Sequence, residues 1–353
     1  MNDLDKETLK KANEEAVYNL YLYLAHKVTP AENDSLQTIT QNLEQEYQKN
    51  PYDWTTKDIR RLRLLKSALI NNPALSLSKI GSLTYSKEGL TACFFTRPDG
   101  SISVVFKGTG SGEWIDNGEG LSGIPEENVY AAFSQSGEIA ESTAVKKDYA
   151  TDQQTEALNW FNKIAAQEGW DSNSKITVSG HSKGGNKAQF VTMHSLLADD
   201  CYSFAGQGFS PEALRFMKHQ YGEDYEKLRE RIFSFSAEND YVNVLGSRLA
   251  VQNHIYYLKS EAGIHNMEAI LDKSGKLRPQ CNQGPLSSYA EKLSRDLMKL
   301  NPSLRQYATL GIMNIFQKYV GEGLPVNGDS VSTEKTILGI AVAVGSFLRN
   351  LMK

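Results

Sequence analysis

Lys175-Ile176-Thr177-Val178-Ser179-Gly180-His181-Ser182-Lys183-Gly184-Gly185-Asn186 decides the architecture of this chain. Ile176, Thr177 and Val178 are β-branched and suit a strand. Asn186 to Leu197 reads as the helix that follows. Between them Gly180 and Gly184 stand two residues either side of Ser182. In a sharp strand-to-helix turn, side chains at those two places would collide across the bend, while the serine hydroxyl is pushed out and exposed. With 27 glycines in the chain, the five-residue pattern arises by chance in on the order of one sequence in ten. The strand before it and the helix after it are what make Ser182 a candidate nucleophile. Gly185 lets the start of that helix pack close to the strand layer.

Working outward, strands and helices alternate. Thr151 to Gln167 is helical. Cys201-Tyr202-Ser203-Phe204-Ala205 is a strand, Pro211 to Tyr221 a helix, and Arg231 to Ser236 a strand; Ile255 to Leu258 is expected to be the last strand. Upstream, Leu90 to Phe95 and Ser101 to Phe106 flank the turn Arg97-Pro98-Asp99-Gly100 and form a hairpin. This succession predicts an α/β fold with a mainly parallel sheet and helices on both faces. Residues 1–75 carry apolar residues at helical spacing (Leu9, Ala12, Ala16, Leu20, Leu24) and are expected to be a helical N-terminal extension or cap. Residues 76–284 form the core, with a Gly-rich candidate lid over 110–145. Residues 285–353 return to helical periodicity.

A serine hydroxyl becomes a useful nucleophile when a base takes its proton and a carboxylate orients that base. In this type of fold the order along the chain is serine, acid, histidine. Four histidines follow Ser182. His194 and His219 fall in helices; His254 adjoins the last strand. His265 lies in a loop beyond the strand ends, where a base should hang, and is preferred to His254. Asp240, just past the strand ending at Ser236, is the expected acid, with Glu238 as the fallback. For a developing oxyanion, the backbone N–H of Lys183 is one expected donor. Thr109, in the glycine-rich Lys107-Gly108-Thr109-Gly110-Ser111-Gly112, is the other. Gly110, Trp114 and His181 flank these groups and are expected to contact substrate.

Composition narrows the classes further. Of 353 residues, 40% are hydrophobic and 23% charged, and the net charge is −4. That balance suits a packed core and argues against nucleic-acid binding, which needs a basic surplus. Three scattered cysteines (Cys93, Cys201, Cys281) make neither a disulfide framework nor a zinc site. No metal or cofactor is expected. Met1 to Lys6 is acidic and polar and leads into no apolar run, so a cytoplasmic location is expected. Ile337 to Leu348, about a dozen residues, is too short to span a bilayer. The helix expected over Ile337 to Met352 is a candidate for peripheral membrane contact, though packing on the core is preferred.

Several of these motifs carry a family resemblance. Phe106-Lys107-Gly108-Thr109 with Glu113-Trp114-Ile115-Asp116-Asn117 resembles the oxyanion loop of class 3 (fungal-type) lipases, which are α/β-hydrolases. Gly180-His181-Ser182-Lys183-Gly184-Gly185 is similar to their nucleophile elbow, Ser203-Phe204-Ala205-Gly206-Gln207 to the strand after it, and Asn239-Asp240-Tyr241-Val242 to their acid motif. The form ending in Asn186 is closer to a bacterial branch of such proteins. The resemblance covers about residues 80 to 275. It implies a Ser-Asp-His triad, Thr109 as oxyanion residue, and a carboxylic ester or lipid acyl substrate. Thioesters or acyl transfer would use the same residues, and a non-catalytic binding protein on the same fold is the competing class. Lys183 departs from the family, which has an apolar residue there; a solvated charge is its simplest expected role.

Overall fold

The strands are apolar on both faces because both faces are covered. The computed structural model describes residues 4–86, 89–108, 114–123, 149–261, 265–302, 304–306 and 308–309. It begins with helices α1 (Lys6–Leu22), α2 (Leu36–Lys49), α3 (Thr56–Asn71) and the single turn α4 (Pro73–Ser76), followed by β1 (Lys79–Tyr85), β2 (Thr91–Thr96) and β3 (Ile102–Phe106). Next come α5 (Trp114–Ser122), α6 (Asp152–Glu168), β4 (Ile176–His181), α7 (Lys183–His194) and β5 (Asp200–Phe204). The rest is α8 (Pro211–Tyr221), α9 (Asp224–Arg229), β6 (Ile232–Ala237), β7 (Ile255–Leu258), β8 (Gln280–Cys281) and α10 (Pro285–Met298). The strands form one sheet in chain order. β3 to β7 are parallel, and β1, β2 and β8 extend the edges antiparallel. This is an α/β-hydrolase fold.

Strand order that always advances the same way has a consequence. Right-handed crossovers then place the described connecting helices on one face of the sheet. That face buries Ala92, Phe94, Val104, Val178 and Ile232 against Phe161 of α6, Phe190 and Val191 of α7 and Met217 of α8. The alternate strand residues, Cys93, Phe95, Val105, Tyr202, Phe204 and Phe235, point the other way and need a second cover. Ala16, Leu20, Leu36, Leu43, Leu62 and Leu65 of the N-terminal helices supply it, in the same continuous core. The stretch expected to be an extension or cap is therefore a layer of the domain itself.

Two serines let α1 lie close to the sheet centre. Ser103 on β3 and Ser179 on β4 each donate a hydrogen bond of 2.7 Å to the carboxylate of Glu15 on α1, which is fully buried. Arg97, at the hairpin turn, pairs with the same carboxylate and with Glu14 at 3.4 Å. Burial pushes the Glu15 carboxyl up from its ordinary range, against the pull of Arg97 and the two serines. Asn19, one turn on, donates to Ser179 at 2.9 Å. Tyr18 stacks on Phe95 at 4.6 Å between centroids.

The hairpin falls where the turn residues predict it, closed by Arg97 N–H to Ser101 O at 2.8 Å and with Gly100 at φ 80°. Three boundaries differ from the sequence reading. β1 adds a strand over Lys79–Tyr85, where Gly81 and Ser82 interrupt the apolar pattern. Ile255 to Leu258 is not the last strand, because Gln280 and Cys281 pair along it. The helix expected from Asn186 begins at Lys183, since its first turn is made of residues without apolar periodicity. Cys93 and Cys201 are buried and Cys281 half-buried, all three as free thiols. Among the described residues no helix is long and apolar enough to cross a membrane. Residues 114–123 of the candidate lid are described and include helix α5; its residues 110–113 and 124–145, and Ile337 to Met352, lie outside the described residues.

Arg97 is the only cationic partner of Glu15 among the described residues, and removing one member of a buried pair strands the other. Arg97→Met should lower the unfolding free energy by about 3–5 kcal/mol, read by urea denaturation. A change within experimental scatter of wild type would show that α1 is held by apolar packing alone.

Candidate active site

Ser182 sits between β4 and α7 with φ 59° and ψ −125°, a region side chains avoid and that costs on the order of 1–3 kcal/mol. The bend is possible because its neighbours are glycine. A Cβ on Gly180 would stand 2.1 Å from the Gly184 carbonyl oxygen, and one on Gly184 would stand 2.0 Å from that of Phe106. Gly185 meets the next strand in the same way, its added Cβ 2.6 Å from Ser203 Oγ. Ser182 N–H donates to Phe204 O at 2.9 Å, tying the bend to β5.

His265 Nε2 lies 2.9 Å from Ser182 Oγ, and its Nδ1 lies 2.9 Å from Asp240 Oδ2. A carboxylate only accepts, so Nδ1 donates and Nε2 is left to accept from the serine hydroxyl. Asp240 is fully buried, and its Oδ1 accepts from the N–H groups of Val242 (2.7 Å) and Asn243 (3.2 Å). The loop that carries His265 is clamped at both ends. Glu268 after it accepts from buried Arg61 of α3 at 3.2 Å, and Glu261 before it is held by Arg60 and Arg278.

The other histidines and the fallback acid are elsewhere. His254 stacks on Phe233 at 4.4 Å, before β7 rather than after it. His194 bonds the Tyr221 hydroxyl at 2.7 Å, and His219 lies on α8. Glu238 pairs with Lys259 at 3.0 Å, and that bond draws its carboxyl below the ordinary value. Thr109 and Gly110 lie outside the described residues, while Trp114 opens α5.

His181 is buried and packs 5.2 Å, ring to ring, from His265. Its Nδ1 is 2.7 Å from the hydroxyl of Tyr23, just past α1. Burial first, then the His265 ring and the Arg61 guanidinium, hold its pKa well below 6.5. A neutral His181 leaves room for positive charge to develop on His265 beside it. Tyr23 has no local sequence signal; only the fold brings it here. Gly108 shares this corner, since a Cβ on it would stand 2.5 Å from the Tyr23 hydroxyl and 3.1 Å from Ser182 Cβ.

Lys183 is not the solvated charge expected of it. Its side chain is fully buried and its ammonium pairs with Asp116 of α5. Its backbone N–H, at the first position of α7, has no acceptor within the helix and is free to meet an oxyanion.

A family model described as Mbeg1-like matches residues 141–302, which include α6 to α10. Among solved structures, the chain is similar to a mutant form of MDLA from Penicillium cyclopium, at 12% identity over 78% of this chain and 93% of that one, with a TM-score of 0.40. It is also similar to lipase II from Rhizopus niveus, at 12% identity over 75% and 85% of the two chains, TM-score 0.38. A fungal lipase structure shares 10% identity over 81% and 92%, TM-score 0.42. No curated protein matches the chain.

A histidine held neutral in the fold takes up a proton on unfolding below its free pKa of 6.5, so stability should fall as pH drops through that value. One such group contributes up to about 1.4 kcal/mol per pH unit. His181→Gln, which keeps an acceptor for Tyr23 but does not titrate, should flatten the fall in urea stability between roughly pH 7 and pH 5. Identical slopes in the two proteins would refute this role for burial.

Proposed function

We propose that the protein is a serine hydrolase that cleaves carboxylic esters, with lipid or other acyl esters as the substrate class. One observation carries the reading: Ser182, His265 and Asp240 form a continuous hydrogen-bonded chain of two 2.9 Å links at a strained strand-to-helix bend. His265 takes the hydroxyl proton as Ser182 Oγ attacks the ester carbonyl. The carbonyl electrons move onto oxygen, where the Lys183 N–H at the start of α7, aided by the helix dipole, stabilises the negative charge. The tetrahedral species collapses, the alcohol leaves with the proton from His265, and the acyl group stays on Ser182. Water, deprotonated by His265, attacks the acyl-enzyme; collapse of the second tetrahedral species returns the proton to Ser182 and frees the acid. Asp240 keeps the His265 tautomer and offsets the imidazolium charge without taking the proton. The acyl-ester class rests on the resemblance of the elbow and the Lys107-Gly108-Thr109 loop to those of class 3 lipases.

A fluorophosphonate probe should label the wild-type protein and fail to label Ser182→Ala. Labelling that survives this substitution would overturn the reading, and an unlabelled wild type would favour a binding protein on a hydrolase fold. Asp240→Asn should retain the fold and lower kcat by about 10⁴. On nitrophenyl esters of increasing chain length, kcat/KM should rise with the acyl chain; a monotonic fall would replace the lipid assignment with a short-chain esterase.

A further inference from the structure

A lysine immediately after a nucleophilic serine has an easy alternative. An apolar side chain of similar volume would fill the same space without the cost of removing an ammonium from water. This chain instead buries the Lys183 side chain completely and provides Asp116 to meet it. Asp116 is itself held by two further donors, Thr151 Oγ1 at 2.8 Å and Gln153 N–H at 3.1 Å. Those two belong to the N-terminus of α6, where Thr151 caps the helix and closes a capping box with Gln154. The Lys183 ammonium also lies against α5 one turn beyond Asp116, since a Cβ on Gly120 would be 3.8 Å from its Nζ. One buried carboxylate therefore fastens three elements together: α5, the start of α6, and the first turn of α7.

The third of these carries the strain. Ser182 holds a backbone conformation that persists only where its surroundings leave no alternative. Glycines at 180 and 184 permit the bend but cannot enforce it, because glycine is freer than any other residue. A side chain anchored in low dielectric by an opposite charge does enforce it. Rotating the 182–183 peptide toward a relaxed conformation would drag the Lys183 ammonium off Asp116 with no water to receive it.

We propose that the Lys183–Asp116 ion pair is a positioning device for the nucleophile elbow. It locks the peptide between Ser182 and Lys183 so that the hydroxyl meets His265 and the Lys183 N–H points to the oxyanion. The proposal rests on the serine-hydrolase reading above and goes beyond it, since that reading uses only the backbone of Lys183. Lys183 acts here through its neighbours; its ammonium does not touch the substrate.

The test separates holding the fold from aiming the elbow. Lys183→Met removes the cation and strands Asp116. The double variant Lys183→Met/Asp116→Asn removes both charges while leaving an amide oxygen to accept from Thr151 and Gln153. Full-length wild type and both variants are compared by thermal unfolding, by the second-order rate of fluorophosphonate labelling at Ser182, and by kcat and KM on a nitrophenyl ester. The double variant should regain a melting temperature close to wild type. Its labelling rate and kcat should remain about 10²-fold low, the scale of one lost oxyanion donor, with KM changed by less than about threefold. A double variant that labels at the wild-type rate would overturn the proposal, as would one that no longer folds, since the pair would then be structural only. A wild type that does not label at all removes the hydrolase reading itself, an outcome distinct from slow labelling of the variants alone.

Discussion

The backbone at Ser182 is the constraint around which the molecule is arranged. To hold φ at 59°, β4 must stop, reverse sharply and enter α7 without a linker. The chain must also thread past the end of β3 with almost no clearance. That is why Gly184 presses on the Phe106 carbonyl and Gly185 on Ser203. The parallel sheet supplies the rigid frame: β3 and β5 flank β4, and the Ser182 N–H is spent on β5 rather than left to relax the bend. The result is a half-buried hydroxyl at the carboxyl end of the strands. The acid and the histidine descend to it from loops beyond β6 and β7 (Asp240 and His265).

A second constraint is less visible along the chain. Because strand order follows chain order, the crossover helices cover one face only, and the sheet is incomplete without its N-terminal layer. That layer reaches the site as well as the core. Tyr23, just past α1, bonds His181, and Arg61 of α3 holds Glu268, three residues after His265. The same helices that bury Phe95 and Phe235 thus steady the imidazole that the proposed chemistry uses.

Buried polar groups make both connections specific. An apolar α1 could slide on an apolar sheet; Glu15, satisfied by Ser103, Ser179 and Arg97, has one seat. Asp116 plays the corresponding part on the opposite side, where Lys183, Thr151 and Gln153 converge on its two oxygens. Such groups are costly to bury and more costly to separate, so they select one packing among many that apolar contact alone would allow.

Local pattern was enough for most of the frame. Periods of two and of about 3.6 located the parallel strands and their helices, and turn residues located the hairpin, because these depend on neighbours a few positions apart. The elbow, the chain order of serine, acid and histidine, and the position of each past a strand end singled out Ser182, Asp240 and His265, which the fold brings into one hydrogen-bonded chain. Only the tertiary structure decided the rest. β1 lacks regular apolar alternation, and the two residues of β8 owe their state to the neighbour they pair with. Whether residues 6–76 stood apart or completed the core depended on which sheet face the crossovers left bare. The fate of Lys183 depended on Asp116, 67 positions earlier, and that of His181 on Tyr23, 158 positions earlier. A charge or a ring carries no mark in the sequence of which distant partner will receive it; burial and pairing are settled when the layers close.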